Sequence, residues 1–101
     1  MSSARYLCSQ LVRLAVPDPP EQWVTLEEIW EDGAMLECES EVDLGASAMI
    51  SADDVSFTGR ITAVDRHEFG WQVEITFSPS TRWTMEKWRP DHAIDPKTLE
   101  L

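Results

Sequence analysis

VSFTGRITAVDRHEFGWQVEITF (55–77) decides the fold. In its first half Val55, Phe57, Gly59, Ile61 and Ala63 alternate with Ser56, Thr58, Arg60 and Thr62. In its second half Trp71, Val73, Ile75 and Phe77 alternate with Gln72, Glu74 and Thr76. A period of two puts each set on one face of a pleated strand, whereas a helix would scatter both sets around its axis. The connection HEFG (67–70) is short and contains glycine. The two runs therefore predict an antiparallel hairpin, with Val55, Phe57, Ile61, Val73, Ile75 and Phe77 facing a core. Gly59 falls in the inward row, where a missing Cβ permits a bend or a close backbone approach.

Working outward, the same texture recurs in shorter pieces. LVRLAV (11–16) reads as a first strand, and VPDPPEQ (16–22) as a loop whose three prolines remove hydrogen-bond donors. WVTLEEIW (23–30) and AMLECES (34–40) alternate about an EDG turn (31–33), which makes a second hairpin. DLG (43–45) and ADD (52–54) mark turns on either side of a short strand, ASAMIS (46–51). Short strands at this spacing predict a mainly β chain, a small six-stranded antiparallel barrel. Beyond Ser78 the alternation stops. Thr84 followed by MEKW predicts a short helical turn ended by Pro90, and Trp83 and Trp88 supply bulk to plug a barrel end. The 101 residues amount to one domain, with the barrel over about 11–78 and a C-terminal extension over 79–101.

Nineteen acidic against eight basic residues give a net charge of −11, and no Lys or Arg stands between Arg13 and Arg60. Such a surface repels phosphate backbones and anionic bilayers, so neither a nucleic-acid polymer nor a membrane is the expected partner. It is either a solvated face or a docking surface for a basic protein. The opening MSSARYLCSQLVRLAV is interrupted by Arg13 and does not read as a signal peptide, so a cytoplasmic location is expected. Cys8 and Cys38, without a CxxC spacing, read as reduced core thiols rather than a disulfide.

Catalytic and metal signatures are sparse. His67 and His92 stand outside any HxxxH or HExxH spacing, and Asp91, His92 and Asp95 form a weak trio on an expected loop. There is no GxSxG and no phosphate-cradling glycine loop. Glu27/Glu28 and Asp53/Asp54 are the carboxylate pairs that chance supplies in so acidic a chain. The expectation is no enzyme and no cofactor.

The strand order and the segments LEEIWEDGAML (26–36), DLGASAMIS (43–51) and FTGRITAVDRHEFGWQVEITF (57–77) resemble the PilZ domain family, over roughly residues 11–78. These are bacterial six-stranded barrels, many of which bind cyclic di-GMP. The resemblance implies the family's barrel and a role in cyclic di-GMP signalling or regulation. Family members read the ligand with an RxxxR pair and a DxSxxG motif. Arginine forks grip phosphates and stack on guanine, while the glycine permits a tight turn. Aligning Gly33 with the motif glycine puts Glu28 at the Asp position and Trp30 at the Ser position. No RxxxR exists, because Ser9 stands four residues after Arg5 and Pro17 four after Arg13. The resemblance therefore implies a regulatory or protein-interaction module in which cyclic di-GMP binding is weak or absent. The alternative is a cyclic di-GMP receptor using Gly33, Glu28 and Trp30 with non-standard cations, Arg5, Arg13 and Arg60. Other small barrels, Sm-like or Tudor-like, share the strand pattern. Trp30, flanked by Glu28, Glu31 and Asp32, is expected to be at least partly exposed, and Trp30, Glu31 and Asp32 to form the interaction surface.

Overall fold

The computed structural model describes residues 4–17 and 21–94. The loop expected over 16–22 thus falls partly outside the described residues, as does Asp95. Six strands form: β1 (Tyr6–Ala15), β2 (Gln22–Trp30), β3 (Gly33–Cys38), β4 (Ser47–Ala52), β5 (Val55–His67) and β6 (Gly70–Phe77). Every pairing is antiparallel, and the order β1-β2-β3-β6-β5-β4 closes into a barrel. β1 begins five residues before the expected strand, at Tyr6 rather than Leu11. The polar Ser9 and Gln10 hid that early half from an apolar-run reading.

The hairpin that dictated the fold forms with Glu68 and Phe69 as its turn, between the paired His67 and Gly70. Phe57, Ile61, Val73, Ile75 and Phe77 are buried as expected, whereas Val55, at the strand's mouth, is only partly covered. The inner row does not continue to Ala63. Pairing steps from Ile61↔Ile75 to Ala63↔Glu74 and Val64↔Val73, so a β-bulge turns Ala63 outward and brings Val64 against the core. At Gly59 an added Cβ would collide with the Thr76 carbonyl, which is the close backbone approach that glycine allows.

Two more irregularities shape the other side. The β1–β2 register slips between Leu7 and Gln10, and the β2–β3 register between Leu26 and Glu28. Leu26 and Ile29, three apart, therefore both point inward, and Glu27 and Glu28 both point outward.

The C-terminal extension closes one end. Residues Pro79–Thr81 form a single 3-10 turn. Thr84 then caps the expected turn: its Oγ1 accepts from Lys87 N at 3.2 Å and its carbonyl from Trp88 N at 3.2 Å. Trp83 and Trp88 are buried in the core cluster. Trp83 meets Tyr6 edge-on at 5.5 Å, and Trp88 lies 6.2 Å from the ring of Phe57. Both indole N–H groups are satisfied, Trp83 by the Trp88 carbonyl at 2.8 Å and Trp88 by Asp53 Oδ2 at 3.1 Å. The chain finally returns to β1, where Leu7 and Ile94 exchange backbone hydrogen bonds of 2.8 and 2.7 Å.

Candidate ligand and interaction site

Gly33 opens β3 and lies in a cross-strand row running Trp30–Gly33–Thr76–Arg60–Ser47. Ile29 points into the core, so Trp30 points to the outer face. There its ring folds flat over Gly33, whose missing side chain makes the space: a Cβ on Gly33 would meet the Ile75 carbonyl and come within 3.0 Å of the indole. Arg5 lies over the same ring, its guanidinium carbon 3.9 Å from the centroid, and reaches Glu74 at 3.9 Å. Trp30 is thereby 8% exposed while lying outside the main core cluster.

This corrects the expectation of an exposed Trp30. The acidic neighbours do not hold the ring in solvent, because they leave it for other partners. Arg82 binds Glu31 at 3.0 Å and Asp32 at 3.5 Å. The Glu31 carbonyl accepts from Trp83 N and that of Asp32 from Phe77 N. Trp30 is therefore a buried ring, while Glu31 stays partly exposed and Asp32 exposed beside it. Arg82 was missed by sequence reasoning, since nothing in the spacing links it to Glu31, 51 positions earlier.

Of the three arginines considered for a ligand, only Arg5 comes to Gly33. Arg13 pairs with Trp23, at the opposite end of β2, and contacts that ring at 5.1 Å and Glu21 at 3.3 Å. Arg60 shares the row of Gly33 but donates to the Gly45 carbonyl at 3.0 Å. Glu28 stands on the outer face opposite Met35, beside the bulge.

Glu27, at that bulge, has its carboxyl held above the usual range by burial first, then by the charge of Glu37 and a hydrogen bond shared with it. Gln72 and His67 pull the other way. Cys8 and Cys38 are free thiols, pushed up to about 12 chiefly by burial, with nearby glutamates adding to it. Neither is a ready nucleophile. Among the described residues, no three His, Cys, Asp or Glu side chains gather to hold a metal ion, and no helix is long and apolar enough to cross a membrane. No protein-family model matches the chain, and no curated protein matches it.

Proposed function

We propose that this chain is a PilZ-like regulatory module that acts in the cytoplasm by binding another protein, without taking up cyclic di-GMP in the family's usual way and without catalysis. The observation that carries the reading is the Trp30 indole lying on Gly33 beneath Arg5. In the family pattern the Trp30 position faces the ligand; here a large ring fills it, and the one arginine beside it is stacked on that ring. The other cations offer no second grip, because Arg13 lies at the far end of β2 and Arg60 is bonded to Gly45. Two lost charge-assisted contacts, at roughly 1.5–3 kcal/mol each, lower affinity on the order of a hundredfold or more. The net charge of −11 adds repulsion toward a ligand with two phosphates.

Isothermal titration calorimetry with cyclic di-GMP at low ionic strength tests this under the most generous conditions, since screening is least there. No heat of binding in the micromolar range is expected. A micromolar or tighter dissociation constant, abolished by Arg5→Ala, would instead establish the non-standard receptor.

A further inference from the structure

The outer face of β1 and β2 carries large apolar side chains that the fold does not use. Leu11 is 63% exposed, Trp23 60% and Phe69 84%. They come from β1, β2 and the β5–β6 turn, yet line one groove of about 540 Å³ together with Thr25, Glu37 and Glu39. The register explains the convergence. Leu11, Thr25, Glu37 and Gln72 stand in one cross-strand row, and Trp23 lies diagonally across from Leu11. Phe69 is the least accounted for. A two-residue turn such as Glu68-Phe69 needs backbone freedom, not an aromatic ring, and burying nothing there sacrifices solubility.

A second groove, sharing Thr25, continues toward Glu27 and Glu28. Among the described residues, no Lys or Arg forms an ion pair with Glu27, Glu37 or Glu39. Glu27 and Glu37 instead face each other, so acidic groups with no Lys or Arg partner lie beside the apolar anchors. Arg13, at the Trp23 end, is occupied by Trp23 and Glu21. Because the strands close into a barrel, a partner cannot add a strand to a free edge and must be held by side chains.

We propose that the groove between Leu11, Trp23 and Phe69 docks a segment of a partner protein in which an apolar anchor is flanked by Lys or Arg, the anchor filling the groove and the cations meeting Glu37, Glu39 and Glu27. This rests on the reading of the chain as a protein-interaction module, and places the apolar anchors away from the buried Trp30. Exposed aromatics surrounded by polar groups have the make-up of an interaction hot spot.

The test is a nuclear magnetic resonance titration of the isotope-labelled full chain with the synthetic peptide KLKWKLK and with its counterpart ELEWELE. The lysine peptide alone should shift the amides of Leu11, Trp23, Thr25, Glu37 and Phe69. Its affinity should fall at least about tenfold in Phe69→Ser and in Glu37→Lys, both surface changes that leave the core intact. No binding, equal binding of ELEWELE, shifts confined elsewhere, or unchanged affinity in both variants would overturn the proposal. So would a dimer of the chain alone, seen by sedimentation equilibrium and dissociated by Phe69→Ser, which would give the groove to a second copy. Cyclic di-GMP added to the same sample keeps the two readings apart. Shifts at Arg5 and Gly33 would sink the functional reading, whereas peptide failure with a silent nucleotide sinks the groove alone.

Discussion

Removing the indole of Trp30 uncovers Gly33 and leaves Arg5 stacked on nothing. The ring is buried but sits on the barrel's outer face, so its loss opens a notch to solvent rather than a sealed cavity. The expected cost for Trp30→Ala is the low end of the usual range for such truncations, about 3 kcal/mol. At roughly 4–8 °C per kcal/mol, that lowers the melting temperature by about 12–24 °C. A change of only a few degrees would return Trp30 to the exposed class. The two cysteines make a separate prediction. Burial holds both thiols up to about 12, whereas an unfolded cysteine ionises near 8.5. The unfolded chain therefore loses these protons first. Their contribution to stability is intact below about pH 8.5 and is lost as the pH climbs from there toward about 12. Melting temperature measured against pH should fall along this alkaline limb, and fall less steeply in Cys38→Ala.

Among the elements, strands were legible from their period of two, whereas the places where an inserted residue switches the buried face were not. The β5–β6 hairpin was readable because Phe57, Ile61, Val73, Ile75 and Phe77 each bury the face their spacing implies. The bulge after Ile61 was hidden, because Thr62 between Ile61 and Ala63 continues the apolar–polar alternation in the sequence while the pairing slips. The bulge at Glu27 had the larger consequence for the site, since it sets the face on which Trp30 emerges. Trp23 carried a usable clue: it falls in the polar phase of β2, with Thr25, and is accordingly exposed. What could not be read were contacts far apart in sequence, such as Arg82 with Glu31 or Arg5 over Trp30. The C-terminal cap lies between these cases. Its tryptophans announced a plug, but the bond from the Trp88 indole to Asp53 depends on the backbone of the β4–β5 turn, where Asp53 takes a φ of 52°. Trp88→Phe keeps most of the apolar bulk and deletes that bond. It should cost about 1–3 kcal/mol, because the carboxylate loses its donor while the ring still fills the barrel end. Denaturant unfolding with an unchanged m-value and a lower midpoint would fit this. No change in midpoint would mean that the cap is held by packing alone.

For the whole molecule, the net charge of −11 sets up self-repulsion that, among the described residues, only a few ion pairs offset. Those pairs are all substantially solvent-exposed, so each contributes little. Added salt weakens them slightly but weakens the longer-range repulsion more. The melting temperature should therefore rise as sodium chloride is increased from a few tens of millimolar toward about 1 M, where the screening length falls to about 3 Å. A falling melting temperature would mean that the arginine pairs, not the excess acid, dominate the electrostatics. The same excess opposes the approach of other acidic surfaces and of phosphate backbones, and favours that of a cationic one.

The antiparallel bridge between Leu7 and Ile94 also has a mechanical meaning. Chain segments leaving an antiparallel pair on the same side are pulled apart like the teeth of a zip. A load applied at residues 4 and 94 would therefore meet the backbone bonds near the bridge one after another instead of shearing a whole strand at once. The barrel, closed around its circumference, would yield to tension at the place where its two ends meet.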